Sequence, residues 1–327
     1  MASGEDDLIA RHFRPLATAP GALGLIDDAA TFNAAGDDVV VTTDAIVEGV
    51  HFLTDDPPDT VARKALRVNL SDLAAKGAEP VGFVLTLALR AARDEWLGPF
   101  SLALGEDARR FNCPLLGGDT VSTRGPSMIS VTAFGRVPPG RMVRRDGARA
   151  GDLLIVTGTV GDAALGLNVL QNGGVAEMVA GDPAERDMLI GRYRVPQPRN
   201  ALARAVRDHA SAAMDVSDGL AGDLAKLCRA SGVSALVEVV SVPLSPPAIK
   251  ALARGAADLE TVLAGGDDYE ILCAIPENRW DGFMEAARAA QVPATAIGHV
   301  VAGSEAPRFV DGAGQVVVLK RLSYSHF

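Results

Sequence analysis

VVVTTD (Val39–Asp44), DTVARKALRVNLSDLAAK (Asp59–Lys76) and VGFVLTLAL (Val81–Leu89) follow one another in the first third of the chain, and their succession decides the fold class. Val39–Thr43 and Val81–Leu89 are short apolar runs with β-branched residues, the composition of a buried strand. Between them Val61, Ala65, Val68 and Asp72 recur near one helical face, which predicts a helix over 59–76. Met128–Val137 reads as another strand and Trp96–Phe111 as another helix, its start obscured by Gly98-Pro99.

Further along, RVPPGRMVRRDG (Arg136–Gly147) is rich in Pro, Gly and Arg and is the best linker candidate. After it come a predicted strand at Asp152–Thr157 and a helix at Asp162–Leu170, with Asp162 as its cap and Gly173-Gly174 as its end. Helices are expected at Arg199–His209 and Gly219–Ala230, and strands at Ala235–Val240, Ile271–Ile275 and Gln315–Leu319. Helices and strands mix without a regular βαβ period, so the expected class is α+β. At 327 residues two domains are expected, 1–140 and 141–327.

Composition narrows the function. The chain is 48% hydrophobic and 22% charged, an ordinary globular balance. Its longest apolar run, Val81–Leu89, is far short of the roughly 20 residues that cross a bilayer. Gly4-Glu5-Asp6-Asp7 is an acidic start with no apolar stretch, unlike a signal peptide, and the expected location is cytoplasmic. A net charge of −10 argues against nucleic acid or an anionic membrane as partner. Anionic substrates stay open, because carboxylates can recruit them through divalent cations. Cys113, Cys228 and Cys273 lack C-x-x-C spacing and read as reduced core thiols. The sequence contains no Walker A loop, no protein-kinase set, no G-x-S-x-G and no H-E-x-x-H.

What remains is a set of aspartates in unusual places. VVVTTD runs an apolar strand into Thr42, Thr43 and Asp44; PLLGGDT ends in Gly117-Gly118-Asp119; AAMDVSDGL places Asp215 and Asp218 around Ser217; VLAGGDDYE puts Gly265-Gly266 before Asp267 and Asp268. Each reads as a strand end or turn, where side chains can converge and glycines admit a ligand. Asp27-Asp28 and NLSD (Asn69–Asp72) extend the set, with Asp72 at an interior helix position where aspartate is a poor choice. Two carboxylates about 4 Å apart repel by roughly 4 kcal/mol at an effective dielectric near 20, so a converged cluster demands cations. Hard oxygens from Asp and Thr suit Mg²⁺, which takes its remaining ligands from water and phosphate.

The strings GLIDDAA, TTDAIVEGVHF, KALRVNLSDLAAKGAEP, LLGGDT, GRMVRRDGARAGD, TGTVGDAALGL, MDVSDGL, AGGDDYE and the terminal SYSHF span nearly the whole chain. In this order they resemble the thiamine-monophosphate kinases, a family of the aminoimidazole ribonucleotide (AIR) synthase superfamily. The resemblance implies a two-domain AIR synthase-like α+β fold and transfer of the ATP γ-phosphoryl group to thiamine monophosphate, giving thiamine diphosphate. It further implies a homodimer built through N-terminal sheets. Carried over by motif, the magnesium ligands are Asp27, Thr42, Thr43, Asp44, Asp72, Asp119, Asp215 and Asp218. Gly118, Asp119, Arg145 and Ser217 match ATP positions, and His51, Asp267 and Tyr324 match positions near the thiamine substrate. Two positions depart: Ile26 replaces a family glycine, and Asp267 stands where the family has glutamate.

Overall fold

The computed structural model describes residues 9–19 and 34–323. Asp27, Asp28, Ile26 and Tyr324 lie outside the described residues. The chain divides into two compact units: unit 1 holds the residues up to Leu73 with Ala78–Gly140, and unit 2 holds Ala74–Gly77 with the residues from Arg141 onward.

Unit 1 contains β1 (Asp38–Val47), α1 (Pro58–Ala75), β2 (Glu79–Leu89), α2 (Asp94–Arg110), β3 (Leu115–Ser122) and β4 (Met128–Val137). Its sheet runs β1-β4-β2-β3. The β1–β4 and β4–β2 pairs are antiparallel, and the β2–β3 pair, joined through α2, is parallel. The strand expected to stop at Thr43 continues to Val47 because β4 pairs with it residue for residue from Asp38 to Val47. Gly117-Gly118-Asp119, read as a strand end or turn, lies inside β3 and is held extended by β2.

Alternation along the strands gives this sheet two faces. Val40 and Ile46 of β1, Phe83, Leu85 and Leu87 of β2, and Ile129 and Val131 of β4 are buried in one core with Leu66, Leu70 and Leu73 of α1. The other face carries Val39, Val41 and Val121, all well exposed. Arg67 of α1 grips Asp107 of α2 with two bonds, Nε to Oδ2 at 2.5 Å and Nη2 to Oδ1 at 2.9 Å. Arg63 adds a third at 2.8 Å, so this buried acid is fully paired.

Unit 2 contains β5 (Leu153–Thr157), α3 (Asp162–Leu170), α4 (Gly174–Val179), α5 (Pro183–Arg194), α6 (Ala203–His209), β6 (Ala212–Val216), α7 (Leu220–Ser231) and β7 (Ser234–Glu238). After these come α8 (Pro246–Ala253), α9 (Leu259–Ala264), β8 (Glu270–Ile275), α10 (Trp280–Ala289), β9 (Ala294–Val301) and β10 (Arg308–Val310). The six-stranded sheet runs β10-β7-β9-β5-β8-β6. Helices cover both of its faces: Leu154 and Val156 pack with Leu224 and Leu227, while Ile155 packs with Val206 and Phe283. The three cysteines are free and buried, as expected of core thiols. Burial pushes Cys113 and Cys273 up to about 12 and Cys228 up to about 11.

Three local expectations change. The cap of α3 is Gly161 at φ 87°, not Asp162, whose carboxylate instead accepts from Ser245 and Thr159. That helix ends before Gly173: Asn172 takes the left-handed position at φ 57°, and Gly174 opens α4. Gln315–Leu319 is not a strand. Only Val316 bridges to Val310, because β10 is three residues long and offers no further ladder. Val318 is left 84% exposed.

Gly166 shows packing overruling propensity. Alanine is favoured over glycine in a helix by about 1 kcal/mol, yet a Cβ at this position would lie 2.0 Å from the Leu189 carbonyl oxygen of α5. Overpacking costs about 1–3 kcal/mol, so Gly166→Ala is expected to lower the melting temperature. A raised one would refute the α3–α5 contact.

Candidate active site

In unit 1 the core-facing side of β1 reads Val40, Thr42, Asp44, Ile46, two buried apolar residues bracketing two polar ones. The polar pair meets the NLSD turn of α1. Thr42 Oγ1 donates to Asp72 Oδ2 at 2.5 Å, and the Asp44 amide donates to Asn69 Oδ1 at 3.1 Å. Asn69 is fully buried, its Nδ2 donating to Ala65 O at 3.1 Å. This explains an aspartate and an asparagine inside a largely buried helix: they answer the polar gap in β1. Asp44 stays exposed and Asp72 half-exposed, leaving carboxylate oxygens at the surface.

Thr43 and Asp119 belong to the opposite face. Thr43 Oγ1 lies 3.2 Å from Val131 O and 2.9 Å from Thr132 Oγ1. Asp119 shares a cross-strand row with Thr86, Ser130 and Ala45. β1 and β3 are the two edges of the sheet, so with strands about 4.8 Å apart Asp44 and Asp119 are separated by roughly 14 Å. Magnesium–oxygen bonds are about 2.1 Å, so one ion does not join this pair within a single chain. Among the described residues no three His, Cys, Asp or Glu gather as a metal group, and Asp27 is outside them. Gly118 has its own structural reason, since a Cβ there would meet Leu85 O at 2.0 Å.

His51 follows β1. Its Nδ1 accepts the Val47 amide at 3.1 Å, which in the neutral ring leaves the proton on Nε2. The buried Lys64 donates to His51 O at 2.8 Å and anchors the turn. Glu48 closes it from the other side, accepting the Ser127 amide at 3.0 Å and pairing with Arg90. Burial works to raise the Glu48 carboxyl, but these donors outweigh it and hold it below the usual range.

In unit 2 three motif loops are tied together. Asp215 lies buried within β6. Just beyond it, the amides of Ser217 and Asp218 both donate to Asp223 Oδ2 at 2.9 Å. Lys226 reaches Asp223 Oδ1 at 2.8 Å and also pairs with Asp218. Burial pushes the Asp223 carboxyl up against the pull of Lys226. The Gly266–Tyr269 segment attaches to the same loop, Asp267 N to Ser217 O at 2.7 Å and Tyr269 N to Val216 O at 2.8 Å. Asp267 and Tyr269 take φ 66° and 51°, uncommon for non-glycine residues. Between them Asp268 is buried, accepting the Gly161 amide at 2.7 Å and the Ala163 amide at 3.4 Å at the start of α3. Arg145 is exposed, its carbonyl accepting Ser231 Oγ at 2.9 Å. Sequence reading missed Asp223, Lys226 and Lys64; the only available signal was a charged residue inside an apolar helical face.

Two family models match this chain: "AIR synthase related protein, N-terminal domain" over residues 26–137 and "AIR synthase related protein, C-terminal domain" over 149–310. The thiamine-monophosphate kinase of Caulobacter vibrioides is 44% identical over 98% of this chain and 90% of its own. The chain belongs to the thiamine-monophosphate kinase family. Among solved members, the enzyme from Stenotrophomonas maltophilia K279a superposes with a TM-score of 0.82 at 36% identity, covering 95% of this chain and 96% of that one. The structure of AaThiL complexed with AMPPCP and TMP superposes with a TM-score of 0.77 at 31% identity, covering 92% and 91%. The family and the α+β fold expected from the motifs are thus both borne out. Among the described residues no helix is long and apolar enough to cross a membrane.

The buried acid Asp268 makes the stability of this family member depend on pH. Burial pushes Asp268 up to about 7, against Arg192 and the Gly161 amide, which pull it down. An unfolded aspartate titrates near ~3.9, so between about pH 4 and pH 7 the native state binds more protons and its stability falls as pH rises. Asp268→Asn removes this contribution. The melting temperature of the variant minus that of the parent should therefore increase from pH 5 to pH 8; a flat difference would refute it.

Proposed function

We propose that this protein transfers the γ-phosphoryl group of ATP to thiamine monophosphate, forming thiamine diphosphate, with magnesium as cofactor. The observation that carries the reading is the oxygen-only donor set at Thr42, Asp44 and Asp72, seated on the motifs shared with the family. It offers hard oxygens and neither thiolate nor imidazole, which fits Mg²⁺. In unit 1 the proposed ligands are Asp27, Thr42, Thr43, Asp44, Asp72 and Asp119; in unit 2 they are Asp215 and Asp218. ATP is assigned to Gly118, Asp119, Arg145 and Ser217, and the thiamine substrate to His51, Asp267 and Tyr324. ATP use assigns the reaction to the cytoplasm.

The acceptor is a phosphate monoester with a second pKa of about 6, mostly dianionic at neutral pH. It is already a nucleophile, so no general base is required of the protein. Bound magnesium supplies charge neutralisation where two polyanions meet. The protein's task is to hold them in line: His51, with its proton on Nε2, can donate to an anionic oxygen, and Arg145 adds positive charge.

We also propose a homodimer through the open face of the unit 1 sheet. In support, that face exposes Val39, Val41 and Val121. Thr43 and Asp119, both assigned to metal, sit on its opposite edges. Closing the β1 edge of one copy against the β3 edge of another would set Asp119 of the second copy beside Thr43.

Purified protein incubated with ATP, Mg²⁺ and thiamine monophosphate should yield thiamine diphosphate by chromatography; absent product, with Mg-ATP still bound, would sink the reading. Asp44→Asn and Asp119→Asn should each lose most of the magnesium-dependent stabilisation by ATP, which at 100 times Kd is about 2.7 kcal/mol in the parent. Unchanged thermal shifts in both would count against the ligand assignment. Val41→Asp should halve the mass seen by light scattering, and a mass identical to that of the parent would speak against this interface.

A further inference from the structure

The Gly266–Glu270 segment is held by a charge cluster that fold stability alone does not explain. Glu270 is fully buried and accepts from Arg199 Nε at 2.6 Å, with a second Arg199 bond through Nη2. Thr157 Oγ1 adds a third donor at 2.7 Å while itself accepting the Ile271 amide at 2.8 Å. Arg199 alone therefore supplies the forked guanidinium–carboxylate pair that satisfies a buried glutamate. Arg192 is nevertheless brought in as well.

Its geometry is not that of a second fork. Among the described residues only Nη2 is engaged, reaching Glu270 Oε1 at 2.8 Å, the Asp268 carbonyl at 3.3 Å and the Thr159 carbonyl at 3.5 Å. Nε, which is buried, has no hydrogen-bond partner among the described residues. Leaving a guanidinium N–H unmet in the interior is costly. The compensation is that one group ties the GTVGD loop, through Thr159, to the GGDDYE segment, through Asp268. On the same segment the Asp268 carboxylate binds the Gly161 and Ala163 amides, while its neighbour Asp267 is half-exposed. Gly158 is wedged against this cluster, since a Cβ there would lie 2.0 Å from Glu270 Oε1.

We infer that Arg192 is a positioning residue for the acceptor: by clamping the main chain at Asp268 and Thr159 it holds Asp267 in its left-handed conformation, ready for the thiamine substrate. This rests on the kinase reading above and on Asp267 contacting that substrate. Arg192 touches neither substrate; it acts through the backbone of the segment that does.

The test compares the parent with Arg192→Gln and Arg192→Lys, using ATP and thiamine monophosphate as varied substrates. Melting curves first fix a temperature at which all three are folded; Arg199 still pairs Glu270 in both variants. The expected result for Arg192→Gln is a KM for thiamine monophosphate at least fivefold higher, with the KM for ATP within twofold of the parent. Arg192→Lys, which keeps a donor and the charge, should recover at least half of the lost kcat/KM. A KM for thiamine monophosphate within twofold of the parent would overturn the inference. So would parallel rises in both KM values, which would mark a general loosening. A parent that makes no thiamine diphosphate would overturn the kinase reading itself, and is seen before any variant is assayed.

Discussion

Among the buried carboxylates of unit 2, Asp162, Asp223, Asp268 and Glu270 have to be met by donors, and the loops are laid out to meet them. An ion withdrawn from water is penalised on the order of several kcal/mol unless its lone pairs are matched. Here the matching donors are largely main-chain amides and residues of other motif loops: Gly161 and Ala163 for Asp268, Ser217 and Asp218 for Asp223, Ser245 and Thr159 for Asp162. Each acid thereby fixes a loop conformation that no local propensity would select. The φ of 66° at Asp267 and 51° at Tyr269 persist because the residue between them is pinned from inside. Around Asp223 and Asp268 the buried acid is the scaffold, and the partly exposed Asp218 and Asp267 are left at the surface.

That division separates two roles which the sequence merges. Asp218, Asp223, Asp267 and Asp268 all occur in short motifs beside glycines, and spacing alone gives no means of ranking them. Burial does. Asp223 and Asp268 are enclosed and bonded to amides, whereas Asp218 and Asp267 are partly exposed. Lys226 joins both classes, bonding the enclosed Asp223 and the partly exposed Asp218. The Lys226 ammonium places a competing charge at one oxygen of the Asp218 carboxylate.

Much of the fold was legible because its signals are periodic. The NLSD helix and strands β1, β2 and β4 follow from apolar spacing, and the α+β class from their irregular succession. What escaped was set by pairing partners distant in sequence. β3 is extended because β2 lies beside it, although Gly117-Gly118-Asp119 reads locally as a turn. The apolar run within Gln315–Leu319, by contrast, looks like a strand and fails because β10 ends after three residues. Arg192 left no trace in the sequence, since its role depends on two carbonyl oxygens and a glutamate 78 positions away.

The polar gap in β1 answers a different constraint from the buried acids. Thr42 and Asp44 interrupt the apolar row Val40 to Ile46 on the side that packs against α1, where two valines would pack without any need for Asn69 or Asp72. Keeping four polar groups at the margin of an apolar interface sacrifices burial, roughly 25 cal/mol for each Å² of apolar surface forgone. The fold tolerates that loss because Asn69 and Thr42 satisfy the interior hydrogen bonds while carboxylate oxygens of Asp44 and Asp72 remain at the surface. The proposed magnesium assignment draws on this arrangement, in which the inner partners are satisfied and the two carboxylates reach the surface. With the alternation of the strand placing Thr43 on the far face, any ligand reaching Thr43 must approach from the open side of the sheet, the same side that displays Asp119.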